Sequence, residues 1–225
     1  MGKTIKLVAG DGRGFSAYEA TPAAKPRGGV VIVQEIFGVN AHMRSVTDGY
    51  AAAGYRAIAP ALFDRAEPGV ELGYGAADRD RGMALRNAIS LDQMLTDIGA
   101  AVAALSGAGK IGVIGYCLGG SLAWLAANRV AGVAAAVGYY GGMIAAHLDA
   151  KPRCPAMLHF GEEDSGIPLS DVKKIRSAVD PAVVQVFTYP GAGHAFNRDG
   201  TANWRAPAAK LAGERTLAFL RQHVG

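Results

Sequence analysis

The stretch V113-I-G-Y-C-L-G-G-S121 decides the fold. A run of β-branched and apolar residues leads into it and a helix-forming run leads out. Between them Cys117 stands with Gly115 two residues before and Gly119 two residues after. A cysteine on a glycine-flanked turn between strand and helix admits three readings: a phosphate cradle, a redox thiol or a nucleophile. The phosphate reading needs G-x-G-x-x-G, or a loop closing on Gly-Lys-Ser/Thr. Here Cys117 occupies the middle-glycine position, the next strand carries no acidic residue for a ribose, and the Gly-Lys-Thr at 2–4 follows no strand. The redox reading asks for a resolving partner. Cys154 is 37 residues away beside an apolar strand, where a small buried hydrophobe is the simpler role.

The nucleophile reading fits the turn. Gly115-Tyr116-Cys117-Leu118-Gly119 has the form of G-x-S-x-G with Cys in place of Ser. The flanking glycines allow strand and helix to approach closely around a strained residue. The Leu118 N–H, opening a helix, then points toward the sulfur, at the positive end of the helix dipole.

Outward from this turn the chain alternates. Apolar runs at 28–35, 55–60, 110–116, 132–140, 155–161 and 182–190 read as strands buried on both faces. Leu91, Met94, Leu95, Ile98, Val102 and Leu105 mark a helix over 91–105, and 120–129, 168–178 and 204–223 read as further helices. Alternation of this kind predicts an α/β fold with a mostly parallel sheet covered on both faces. The first 27 residues read as an antiparallel pair at its edge. The segment 64–90, rich in glycine and charge, reads as a loop over the site. No repeat or linker interrupts the chain, so one domain over residues 1–225 is expected.

In such sheets ligands bind beyond the carboxyl ends of the strands. The residues placed there are Gln34, Glu35 and Ile36; Pro60; Cys117; Tyr139 and Tyr140; Glu162, Glu163 and Asp164; and His194. The order nucleophile, acid, base matches Cys117, Asp164, His194. Glu162 and Glu163 compete with Asp164 on sequence alone. His159 falls within a strand and reads as a core residue; His42, His147 and His223 read as surface residues. Glu35 ends a buried strand, so its charge must be paired or protonated.

Half of the 225 residues are hydrophobic and 19% are charged, a globular composition. The net charge of +4 is spread without a basic block, which argues against a nucleic-acid footprint. Two cysteines make no disulfide framework. No metal-ligand spacing or cofactor motif is seen, so neither is expected. The N-terminus lacks an apolar leader and no run reaches membrane-spanning length, which predicts a cytoplasmic protein free of membranes. Its partner is a small-molecule substrate. The oligomeric state is open, a monomer among the options.

Three segments, QEIFGVN (34–40), GYCLGGS (115–121) and GAGHAFNR (191–198), together with their spacing, resemble the dienelactone hydrolase family of the α/β-hydrolase fold. The resemblance runs from about residue 10 to the end. It implies a lactone or ester hydrolase acting through a thioester on an anionic dienelactone, with Cys117 as nucleophile, His194 as base and Asp164 orienting the imidazole. It places Glu35 against the resting thiol as the acceptor of its proton. The Ile36 and Leu118 N–H groups form the oxyanion hole. Arg198 and Arg81, with Arg79 a rival to the second, hold a substrate carboxylate. Leu85 stands where the family has an aromatic residue, and Ala195 where it has a hydroxyl, so another lactone or ester is an alternative substrate. A general carboxylesterase or thioesterase is the runner-up, followed by a thiol redox protein and a silent binding domain.

Overall fold

The computed structural model describes residues 2–225. Its centre is one eight-stranded sheet in the order β1-β2-β4-β3-β5-β6-β7-β8. The strands are β1 (Lys3–Val8), β2 (Gly14–Ala20), β3 (Gly29–Val33), β4 (Arg56–Pro60), β5 (Ile111–Tyr116), β6 (Val133–Tyr139), β7 (Ala156–Gly161) and β8 (Val184–Tyr189). β1 pairs antiparallel with β2, and β2 antiparallel with β4; all other neighbours are parallel. The six strands β3 to β8 follow the sequence reading to within two residues at each boundary, and the antiparallel edge pair occupies Lys3–Ala20 of the 27 residues read as such.

Successive strand residues face opposite sides, so a strand buried at every position is covered on both. β3, β5 and β7 are buried throughout. Gly112 of β5 lies against Leu220 and Val224, on the side taken by α6 (Ala206–His223). Gly115, three residues on and therefore on the opposite side, lies against Gly119 of α4 (Leu118–Arg129). A side chain at Gly115 would run into the Gly119 carbonyl. That contact is what the Gly-x-Cys-x-Gly spacing supplies.

Two helices depart from the sequence reading. α1 (Ala41–Ala52) was not anticipated. Asn40 caps it by accepting the Met43 N–H at 3.2 Å, and Met43, Thr47, Tyr50 and Ala51 supply its buried face. The segment 64–90 is not a loop: most of its second half is α2 (Ala76–Asn87), which buries only Gly82 and Leu85. A mostly polar surface helix shows little hydrophobic period, so it passed for a loop. α3 (Leu91–Ala104) follows, with Ser90 and Gln93 closing a capping box. α5 (Leu169–Ala178) precedes β8. Among the described residues no helix is long and apolar enough to cross a membrane.

Candidate active site

Parallel strands deliver their C-terminal ends to one edge of the sheet. The turns after β3, β5, β7 and β8 carry Glu35 and Ile36, Cys117, Asp164, and His194 respectively. The Cys117 backbone has φ 56° and ψ −113°, a conformation costly for any residue with a Cβ. Its N–H is held by the Tyr139 carbonyl at 3.0 Å and the Gly119 N–H by the Gln34 carbonyl at 3.1 Å. The elbow is thus tied to the strands on both sides of β5, and the sulfur emerges partly exposed.

His194 Nδ1 lies 2.7 Å from Asp164 Oδ2, and Asp164 Oδ1 accepts the Gly166 N–H at 2.9 Å. The Asp164 side chain is fully buried. Its hydrogen bond sets the imidazole so that Nδ1–H donates and Nε2 is left for Cys117. Burial works against a charge on His194, but Asp164 and the adjacent Cys117 side chain outweigh it and raise its pKa to about 10. The shift favours the charged imidazolium when Cys117 carries a negative charge. Glu162 and Glu163, the competitors of Asp164, make no ion pair with His194; their backbone N–H groups instead tie the turn to Tyr189 and Ala192.

Glu35 is 1% exposed and Arg198 8%. Arg198 Nε approaches Glu35 Oε2 at 3.3 Å, a charge contact without hydrogen-bond geometry. The guanidinium lies over the Tyr74 ring at 4.2 Å and the Phe37 ring at 5.3 Å. The sequence expectation placed Glu35 against the thiol. In the structure it makes no hydrogen bond to Cys117 and faces Arg198, because a carboxylate this buried needs the nearest available cation. Burial nevertheless dominates and pushes the Glu35 carboxyl up, with Arg198, His42 and His194 pulling the other way. His42, expected at the surface, is largely covered and meets Asp199 at 3.1 Å. His159 is the core residue it was read to be, with Nδ1 at 2.8 Å from the Tyr189 hydroxyl and Nε2 at 3.1 Å from Thr216.

A cleft of about 250 Å³ opens over the sulfur. Cys117, His194, Ile36 and Leu118 share its wall with Met83, Arg86, Met143 and Ile167. Among the described residues, the Ile36 and Leu118 N–H groups have no backbone or side-chain acceptor, which leaves both free for a ligand oxygen. Ile36 is set by α2: a side chain at Gly82 would collide with the Ile36 carbonyl. Arg81 is not in the cleft. It is half exposed and grips Glu67 at 2.6 Å, five residues and therefore about 140° around the helix from Arg86. Arg79 is exposed and likewise absent from the wall. Sequence reasoning missed Arg86, Met83, Met143 and Ile167. Only recognition of α2 as a helix packed at Gly82 and Leu85 would have brought Met83 and Arg86 forward.

The sheet order, the strained turn after β5 and the residues gathered at the sheet's edge define an α/β-hydrolase. Residues 15–224 match the dienelactone hydrolase family, and the chain belongs to it. A carboxymethylenebutenolidase from Pseudomonas putida is 37% identical over 96% of this chain and 94% of its own. One from Pseudomonas sp. strain P51 is 34% identical over 97% and 94%. A solved structure from Klebsiella pneumoniae is 29% identical, with a TM-score of 0.84 over 98% of this chain and all of that one. A dienelactone hydrolase-like promiscuous phosphotriesterase from metagenomic libraries shares the fold at TM-score 0.79 and 20% identity, covering all of this chain and 99% of its own. The protein is accordingly a lactone or carboxylic ester hydrolase.

Proposed function

We propose that the protein cleaves an anionic lactone of the carboxymethylenebutenolide kind through a Cys117–His194–Asp164 triad and a thioester. The observation that carries this reading is the Asp164–His194 contact at 2.7 Å beside a cysteine on a strained turn. An ordinary thiol is only about 3% ionised at neutral pH, so a partner for its proton is required.

The substrate carbonyl enters between the Ile36 and Leu118 N–H groups. The thiolate, paired with the protonated His194, attacks the carbonyl carbon, and the charge passes to the oxygen in that hole. The tetrahedral centre collapses as His194 gives its proton to the leaving ring oxygen. The acyl group is now a thioester on Cys117 and the imidazole is neutral. It takes a proton from water, hydroxide adds to the thioester, and the thiolate leaves to rejoin the imidazolium. Asp164 keeps Nδ1 protonated throughout.

Glu35 belongs to activation. Arg198 is the largest of the charges that oppose the upward push of burial on its carboxyl. A substrate carboxylate competing for Arg198 leaves Glu35 buried without its counter-ion, and a more basic Glu35 takes the proton of a resting thiol. The assignment of Arg81 to the same carboxylate has no support from its position against Glu67.

Loss of dienelactone absorbance, measured for the wild type beside Cys117→Ala, tests the reading. Turnover confined to the wild type is expected. Equal turnover by both proteins, or none by either when each is folded, refutes it.

A further inference from the structure

Tyr140 takes no part in the chemistry described so far. It follows β6 beside the elbow: the Tyr139 carbonyl before it holds the Cys117 N–H, and its own N–H donates to the His159 carbonyl at 2.8 Å. Its φ of 39° lies in the left-handed region, which few residues with a Cβ adopt. The ring packs against the His194 imidazole with centroids 5.0 Å apart, and against the Phe196 ring at 5.6 Å. The residue is 1% exposed, yet among the described residues its hydroxyl has no hydrogen-bond partner. Tyr50, Tyr55, Tyr116, Tyr139 and Tyr189, the other buried tyrosines, each have one. Glu35, Arg198 and Cys117 are among the groups whose charge reaches the phenol. Both Glu35 side-chain oxygens and Arg198 Nε are buried and equally without a hydrogen bond. Folded proteins seldom leave buried polar groups unpaired, so a cluster of them beside a nucleophile calls for a functional account.

We infer that the Tyr140 hydroxyl is a catalytic relay that carries the thiol proton of Cys117 to Glu35. The relay rests on the activation of Cys117 by Glu35 proposed above, where sulfur and carboxylate share no hydrogen bond. A phenol has one O–H to give and lone pairs to receive. The S–H bond breaks and its proton passes to the phenol oxygen as the phenol's own proton passes to the Glu35 carboxylate. The electron pair of the S–H bond stays on sulfur. Cys117 ends as thiolate, Glu35 as the neutral acid and Tyr140 as the phenol it began. Burial pushes the phenol pKa well up and the Glu35 charge adds to it, so the hydroxyl passes a proton on and does not settle as phenolate. A substrate carboxylate that draws Arg198 away makes Glu35 more basic and sets the direction of transfer. When product leaves and Arg198 returns to Glu35, the same path carries the proton back.

Tyr140→Phe keeps the ring against His194 and Phe196 and removes the hydroxyl alone. Losing a hydroxyl without a partner orphans no other group, so the melting temperature should hold. An unaided thiol is about 3% ionised at neutral pH, which caps the benefit of a relay at roughly 30-fold. At pH 7, kcat/KM for dienelactone, followed by loss of absorbance, should therefore fall about 10- to 30-fold. The gap between variant and wild type should narrow to a few-fold by about pH 9.5, where a thiol of ordinary pKa ionises without help. The double variant Tyr140→Phe with Glu35→Gln should lose no more than about twofold beyond the worse of the two single variants, because both break one path. A deficit in Tyr140→Phe that is the same at every pH marks a packing role and overturns the relay. So do losses that multiply in the double variant, or an unimpaired Tyr140→Phe beside an impaired Glu35→Gln. An unimpaired Glu35→Gln, or no turnover by the wild type, overturns the activation reading and the relay with it.

Discussion

The proposed pairing of Cys117 with His194 can be tested through the direction of the His194 shift. Its folded pKa lies above the unfolded value, so the stability it contributes is complete below about 6.5 and is lost as pH rises through about 10. The alkaline limb of kcat/KM should follow the same upper value. In Asp164→Asn the carboxylate charge that raises the pKa is gone, so that limb should move toward neutral pH while kcat falls on the order of 10⁴-fold. A pH–rate profile of the two proteins checks both, and an unmoved limb would assign the shift elsewhere. His159 runs the other way. Burial drives its pKa down to about 3, so it folds neutral while the unfolded chain takes up a proton below about 6.5. Stability is lost as pH falls from there. Between pH 6.5 and 5 the urea midpoint of the wild type should drop more steeply than that of His159→Gln.

At the scale of the element, α2 decides how the cleft is built. It is fixed by two buried residues only, and Gly82 lets its backbone rest on the carbonyl of Ile36. Gly82→Val should push the helix off that carbonyl and misplace the Ile36 N–H, proposed above as an oxyanion donor. We expect kcat to fall on the order of 100-fold, with a smaller proportional effect on the melting temperature. Stopped aryl-ester turnover beside a thermal melt separates the two. The same helix shows where sequence reading ends. β3, β5 and β7 are buried at every position and apolar at all but His159, the pattern that burial on both faces imposes. The gathering of Cys117, Asp164 and His194 at one edge of the sheet was legible because their places after strands follow from those runs. α2 carries Asp78, Arg79, Asp80, Arg81 and Arg86 in twelve residues, and its orientation depends on a glycine contact that no period reveals. Arg81 was therefore set in the site, and Arg86 was passed over.

Across the whole molecule, the edge hairpin is held by charge as well as by strand pairing. Arg65, in the short 3-10 turn Leu62–Arg65, grips Asp97 of α3 with Nε and Nη2, both at 2.8 Å. Its Nη1 reaches Asp11 in the β1–β2 turn at 2.7 Å. Asp97 has no exposed side-chain surface, and burial pushes its carboxyl up against the pull of Arg65. Arg65→Ala leaves that carboxylate uncompensated and should cost about 3–5 kcal/mol in a urea titration. Arg65→Met with Asp97→Leu should recover most of it, because an apolar pair of similar bulk carries no desolvation cost. This network joins residues 86 apart in sequence through side chains of ordinary type, and nothing in their local pattern announces it.

The two sulfurs differ in a way that makes the protein its own counter. Cys154 is buried and its thiol is pushed up to about 11, whereas Cys117 stands partly open on its turn. A mild alkylating or chromogenic reagent should consume one equivalent per folded chain and a second only after denaturation. The first equivalent then measures how many chains in a preparation hold an intact reaction centre, and the delay before the second clocks the opening of the core around β7.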